Sequence, residues 1–382
     1  MIVDASLLPE LMRQARAAGK LALDTEFMGE GRYRTLLCLV QLAVPGRIEL
    51  LDPLDPTIDG SPLAEVLADP SVEVVVHAGR QDVALLRRWL STEVRNVFDT
   101  QVAAGFAGMG AQSSYETLLG QVLGMRVAKS ASFTRWDARP LSQEQLGYAR
   151  EDVLHLLELA QELQQRLTTL GRLQWARQEC EVLERASDER DLENVFARLP
   201  RVRNLSLASQ AIARELVQWR EETAAAQDRP VQSVLGDPVL VEIAKRKPST
   251  PGKLHDIRGA GQSGVRRRTE EVLDAVRRGL ERPHEPLEET TRHKPPDPED
   301  APLVALAEAL VRARTREADL AYELLAARAD LQAIVGAWRV GGQEADVRTL
   351  KGWRRELVGA ELLKLLGGEV TLSVGDGRLR IH

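Results

Sequence analysis

The stretch LALDTEF, residues Leu21–Phe27, sets the reading of the whole chain. Its apolar residues and β-branched threonine suit a strand. In a strand, side chains two apart share a face. Asp24 and Glu26 therefore lie on one face, and Leu23 and Thr25 on the other. Two carboxylates on one face of an apolar strand repel each other and lose hydration. A divalent cation between them cancels both costs, and oxygen donors favour magnesium or manganese over zinc. By itself the Asp-x-Glu pair also fits an ordinary exposed acid at a strand end.

Two further apolar stretches follow, Thr35–Ala43 and Arg47–Asp52, separated by the turn signal Pro45-Gly46. With the first they read as an antiparallel meander. Leu63–Ala68 is a short helix. Val72–His77 is a β-branched, near-continuous apolar run, which suits a strand covered on both faces. Gln81–Leu90 has helical spacing, Val94–Phe98 reads as a short strand, and Tyr115–Leu123 and Gln143–Leu170 read as helices. The last is opened by Ser142, with Glu144 in its first turn. Three consecutive strands, then strand–helix alternation, then helices predict an α/β domain with a mixed sheet over residues 1–190.

Two more acids fall at informative places. Asp82 enters the first turn of the helix after strand Val72–His77, a position where ligands bind in open α/β sheets. A helix-start acid favoured by the dipole is the plain reading of that residue alone. Tyr148 and Asp152, four apart in a helix, share a face. His77 and His155 flank these motifs and read as structural.

The second half is helical. Residues 200–282 form one small all-α domain. Residues 283–302 hold six prolines, and six acids against Arg292 and Lys294, and read as an extended acidic linker. Residues 303–382 form a second helical domain ending in a hairpin, Val370–Val374 and Arg378–Ile381.

The 382 residues are 43% hydrophobic and 28% charged, with net charge −6. That is ordinary for a globular protein but acidic for a nucleic-acid binder. Position resolves the conflict. Residues 1–190 carry 20 basic and 27 acidic side chains, whereas 191–282 carry 17 and 13. Within 245–268 stand eight basic residues and one acid, among them Lys245, Arg246, Lys247, Arg266, Arg267 and Arg268. Acidic excess thus lies where cations would bind, and basic excess in a helical region suited to phosphate. A solvated basic face is the other reading of that cluster.

Cys38 and Cys180 are far apart, so neither a disulfide framework nor a cysteine zinc site is built from them, and Cys38 reads as a core residue. The N-terminus lacks a basic start followed by an apolar core, and no apolar stretch reaches membrane-spanning length. A reducing cytoplasm and no membrane are expected. GAGQSGVRR lacks the Gly-Lys-Ser/Thr ending of a phosphate-binding loop.

Taken together, LALDTEF, HAGRQDVALL and YAREDVLHLL, in this order and separation, resemble the three exonuclease motifs of the DEDD superfamily, tyrosine branch. DTEFMGEGRYRTLLCLVQLA and TRWDARPLSQEQLGYAREDVLHL narrow the resemblance to the ribonuclease D family. ELVQWREETAAAQDRPVQSVLGDPVLVEIAKRKPSTPGKLHDIRG resembles the helical domain shared by helicases and ribonuclease D C-termini (HRDC), and 303–382 resembles a more divergent second copy. The sequence departs from the family pattern at Arg135, where an acid is common, and at Asp137, where an apolar residue is usual.

The resemblance implies a ribonuclease H-like fold and a 3′→5′ exoribonuclease releasing 5′-mononucleotides. It implies two Mg²⁺ or Mn²⁺ ions held by Asp24, Glu26, Asp82 and Asp152, with Tyr148 orienting the attacking water. It implies RNA as partner, with precursor-tRNA 3′ ends as substrate, and a monomer. Phe27 and Trp136 are aromatic candidates for stacking on the 3′-terminal bases. A DNA-directed exonuclease and a non-catalytic RNA-binding protein on the same fold are the alternatives.

Overall fold

The computed structural model describes residues 7–125, 135–261, 263–282, 298–341 and 344–382. Strand β1 (Lys20–Met28) follows α1 (Leu8–Ala18). Gly19 ends α1 in the left-handed region at φ 66°, which lets the chain turn directly into β1. The predicted meander forms: β2 (Leu36–Val44) pairs antiparallel with β1, and β3 (Arg47–Leu51) with β2. After α2 (Ser61–Leu67), β4 (Glu73–Val76) pairs parallel with β1. Helix α3 (Arg80–Leu90) leads to β5 (Val97–Asp99), parallel to β4. The sheet is therefore mixed, in the order β3-β2-β1-β4-β5.

Helices cover both faces. Leu21 and Leu23 of β1, with Val74 and Val76 of β4, pack against α1, α2 and α3. Ala22 and Val75 point to the opposite face. There lie α4 (Thr100–Phe106), α5 (Tyr115–Val122), α7 (Leu156–Thr169) and α8 (Leu173–Glu181). Helix α6 (Gln143–Leu154) crosses β1, β2 and β3 on this second face. Its start is a full capping box, Ser142 and Gln145 exchanging bonds of 2.9 and 3.1 Å.

The structure breaks the continuous helix expected over Gln143–Leu170 at His155. The His155 N–H donates to the Tyr115 hydroxyl, 3.2 Å away, instead of continuing the ladder. A side chain inserted into the helix ladder re-aims the segments on either side.

After α9 (Leu192–Ala197) comes a helical unit of α10 (Leu207–Ala226), α11 (Val231–Val234), α12 (Asp237–Arg246), α13 (Pro251–His255), α14 (Ser263–Arg266) and α15 (Thr269–Glu281). It has its own apolar cluster, which also takes in Phe196, Leu199 and Val202. Gly279 lets α15 close on α10, since a Cβ there would sit 2.4 Å from the Ile212 Cα. Most of the expected linker, 283–297, lies outside the described residues. Its end does not stay extended: Pro298–Asp300 form a helical turn that runs into α16 (Ala301–Glu317).

Helices α17 (Tyr322–Leu325), α18 (Arg328–Arg339), α19 (Gly352–Arg354) and α20 (Ala360–Leu366) follow. The hairpin β6 (Leu372–Gly375) and β7 (Arg378–Ile381) closes the chain as expected. The apolar residues of these last helices form one cluster with α4, α7 and α8. Trp353 stacks on Trp175 at 5.3 Å and meets Phe106 edge-on at 5.0 Å. Among the described residues, no helix is long and apolar enough to cross a membrane.

Candidate active site

The carboxylates gather at the C-terminal ends of β1 and β4. Strand β4 pairs with β1 only as far as Ala22, so Asp24 and Glu26 stand beyond the last parallel contact. A bulge between Glu26 and Phe27 bends β1 there, a common device beside active sites. Asp82 enters from the first turn of α3, which begins where β4 ends. Buried Thr25, on the far face of β1, donates its hydroxyl to Asp82. Asp99 braces the turn before α3. It accepts from the N–H groups of Ala78 (3.1 Å) and Gly79 (2.9 Å) while capping α4 through Gln101 (2.8 Å).

Tyr148 and Asp152 arrive from α6. The Tyr148 hydroxyl bonds to the Asp152 carboxylate, as their spacing of four on one face allows. Tyr148 is steadied from below by Trp136, 6.0 Å away. The Trp136 loop is clamped by Arg139, which forms a bidentate pair with Asp52 at 2.6 and 2.7 Å and bonds the carbonyl of Cys38 at 2.7 Å. Arg135 and Asp137, the two departures from the family pattern, pair with each other at 3.0 Å.

The electrostatics are those of acids forced together. Desolvation, then the charges of Asp82, Asp152 and Glu26, raise the Asp24 carboxyl well above the usual range. Desolvation and the charge of Asp152 push Glu26 up to about 8. Desolvation and Glu116 push Asp152 up to about 7. Desolvation takes Asp82 to about 6, against the opposing Thr25 bond. Tyr148 is held above its ordinary range by desolvation and by Asp152 and Glu26. Its hydroxyl is thus a donor and an orienting group, not a base.

These residues fit divalent cations by donor chemistry. The set is oxygen-only, which suits hard ions. Its carboxylates raise one another's pKa, which a positive charge would reverse. Asp152 Oδ2 is buried and has no hydrogen-bond partner among the described residues. A buried acceptor left so costs about 1–3 kcal/mol unless something occupies it. As the side chains stand, no three His, Cys, Asp or Glu among the described residues gather closely enough to hold an ion directly. Asp82 is turned to Thr25 and one Asp152 oxygen to Tyr148.

The five residues expected from the sequence stand at one end of the sheet, where the charges of Glu26, Asp82 and Asp152 reach Asp24 and the Tyr148 hydroxyl bonds Asp152. The aromatic candidates divide. Phe27 is 38% exposed at the bulge and offers a surface for a base. Trp136 is only 3% exposed, packed among Cys38, Leu39, Leu50, Leu141 and Ala149. The structure therefore corrects its reading as a stacking residue: Trp136 supports Tyr148 from the core. His77 bonds Thr100 at 2.9 Å and leans on Tyr115, in keeping with a structural part. Cys38 is buried, as expected. In the basic segment Lys245, Arg246, Arg266 and Arg267 are exposed, and Lys247 and Arg268 half-buried. Arg246 pairs with Glu242 at 2.5 Å. Sequence reasoning missed Thr25, Asp99 and Tyr115, whose signals are ordinary, and Gln41, the one polar residue in the apolar run Leu36–Val44.

Known proteins match this chain along its whole length. Residues 1–168 match a family described as 3′–5′ exonuclease, and residues 209–276 match the HRDC domain. The chain is 34% identical to ribonuclease D of Granulibacter bethesdensis, covering all of this chain and 96% of that protein. It is 35% identical to ribonuclease D of Gluconacetobacter diazotrophicus, again over all of this chain and 96% of the relative. The chain belongs to the ribonuclease D family. The crystal structure of Escherichia coli RNase D, described as an exoribonuclease involved in structured RNA processing, superposes with a TM-score of 0.81. The match covers 97% of this chain and 98% of that one at 28% identity. The fold is accordingly the exonuclease fold of that family, with a helical C-terminal region containing an HRDC domain, and the protein is a 3′→5′ exoribonuclease.

Proposed function

We propose that the protein trims RNA from its 3′ end to 5′-mononucleotides by a two-cation mechanism, with Asp24, Glu26, Asp82 and Asp152 as ligands. The observation that carries this reading is the convergence of four carboxylates, from a strand end, a helix start and a helix face, whose charges raise Asp24 and Glu26, beside a tyrosine hydroxyl. Bound Mg²⁺ or Mn²⁺ ions would act as Lewis acids on the scissile phosphate and lower the pKa of the attacking water. The chain's own groups do the rest. Asp24 is the natural shared ligand, because Glu26, Asp82 and Asp152 all act on it. Tyr148, fixed by Asp152 and backed by Trp136, directs its hydroxyl at the attacking water. Phe27 offers a face for the terminal base.

The substrate is RNA. Precursor-tRNA 3′ ends are the proposed natural class, acted on by a cytoplasmic monomer. The exposed basic side chains between 245 and 268 would hold backbone phosphates upstream of the cut. We read residues 1–190, 200–282 and 303–382 as three domains, the last a divergent copy of the HRDC unit.

The deciding experiment digests equal-length single-stranded RNA and DNA, labelled at either end, with EDTA, Mg²⁺ or Mn²⁺. Cation-dependent release of mononucleotides from the 3′ end of RNA is expected. Cleavage that persists in EDTA, or starts at the 5′ end, would sink the proposal, and equal rates on DNA would sink the RNA preference.

A further inference from the structure

Gln41 is fully buried in the middle of β2, and neither atom of its amide has a hydrogen-bond partner among the described residues. Leaving both ends of a buried amide unpaired is costly. Every other residue of Leu36–Val44 is apolar, so nothing in the pattern of the strand calls for an amide here. Its neighbours on the same face, Leu39 and Ala43, belong to two separate apolar clusters. Gln41 stands between them, beneath α6, whose Ala149 and Val153 enter those same two clusters. A leucine would join the two into one continuous core.

What the position offers is the site. Gln41 is the direct cross-strand partner of Asp24 in the β1–β2 register. Directly opposed residues of an antiparallel pair share a face, with Cβ atoms about 4.5–5.5 Å apart. On its other side β2 pairs Gln41 with apolar Leu50, so no polar side chain competes from there. Backbone groups of β1, β2 and β3 are engaged in the sheet ladders.

We propose that Gln41 is a positioning residue for Asp24: its amide N–H, unpaired here, is placed to donate to the carboxylate from behind when a cation is held, keeping the other oxygen toward that cation. Partners standing behind a metal-ligating carboxylate set its orientation and basicity, and their loss weakens binding about 10–100-fold. The proposal rests on Asp24 being a cation ligand.

The test titrates Mn²⁺ calorimetrically into the full-length chain and measures thermal unfolding in EDTA. Gln41→Leu and Gln41→Met keep the volume and remove the donor. Expected is Mn²⁺ affinity about 10–100-fold weaker, with a Tm in EDTA equal to or above that of the parent. Unchanged affinity in either folded variant overturns the proposal. So does a lower Tm in EDTA for both variants, or failure of both to fold, since the amide would then serve the fold. Asp24→Asn is titrated alongside. If it keeps Mn²⁺ affinity, the cation reading itself fails; if it loses affinity while Gln41→Leu does not, only the part assigned to Gln41 fails.

Discussion

The two faces of β1 obey opposite rules. On one, Leu21 and Leu23 are fully buried against α1, α2 and α3, and their burial lowers the free energy of the fold. On the other, Ala22 gives way to Asp24 and Glu26, which are held close to Asp82 and Asp152 at the cost of mutual repulsion. The same nine-residue strand thus carries a scaffold on one side and a functional liability on the other. Strain of this kind is sustained only because the surrounding core over-determines it.

Substitutions on each face should separate these rules. Asp24→Asn or Asp152→Asn should cost several kcal/mol of transition-state stabilisation, roughly 10³-fold or more in mononucleotide release. RNA binding should be retained and the Tm in EDTA should rise, read by digestion kinetics and thermal unfolding. A parental rate in Asp24→Asn would show that the polar face is not the reaction site. Leu23→Ala should do the reverse: about 2–5 kcal/mol of lost stability, seen in urea unfolding, with near-parental turnover well below its Tm. Tyr148→Phe should reduce kcat by about 10²-fold, the low end for a positioned proton-handling group, while calorimetric Mn²⁺ affinity stays within a few-fold.

pH sharpens the contrast. Folded-state pKa values near 6 for Asp82, 7 for Asp152 and 8 for Glu26 lie above the ordinary 3.8 and 4.5. Between about pH 4 and 8 these three carboxyls therefore bind more protons in the native state than in the unfolded chain, and their contribution to stability falls as pH rises. Thermal unfolding in EDTA should show that fall across the same window. Glu26→Gln should flatten it and Leu23→Ala should not. Excess Mg²⁺ should oppose it, because the ligands must lose their protons to bind. A curve that rises across this window would break the account of the polar face.

The smallest effect belongs far from the sheet. Neutralising Arg266, Arg267 and Arg268 should lower the slope of log K against log salt for single-stranded RNA by up to about 0.7 for each phosphate they neutralise in the parent, with kcat little changed. An unchanged slope would return these residues to a solvated face.

The two helical regions differ in a parallel way. Residues 196–276 keep their own apolar cluster, against which Tyr33 of the exonuclease part packs. Arg32 pairs with Asp228 at 2.5 Å, and the Tyr33 hydroxyl bonds Glu221. The C-terminal helices instead share a core with α4, α7 and α8 through Trp353. Both read from the sequence as similar helical stretches, because amphipathic spacing reports that a face is apolar and not which partner covers it.

Local pattern determined much of this protein. Apolar runs, one of them β-branched, with turn signals between them placed the five strands of the sheet within a few residues. The order and spacing of Asp24, Glu26, Asp82, Tyr148 and Asp152 pointed to the proposed site, because residues two apart in a strand and four apart in a helix share a face. Only the tertiary structure decided what depends on neighbours distant in sequence. Tyr115 breaks the long helix at His155, Arg139 and Asp52 turn Trp136 inward beneath Tyr148, and the pairing of β1 with β2 sets Gln41 opposite Asp24. A one-dimensional pattern tells a residue which face it occupies; only packing tells it what stands on the other side.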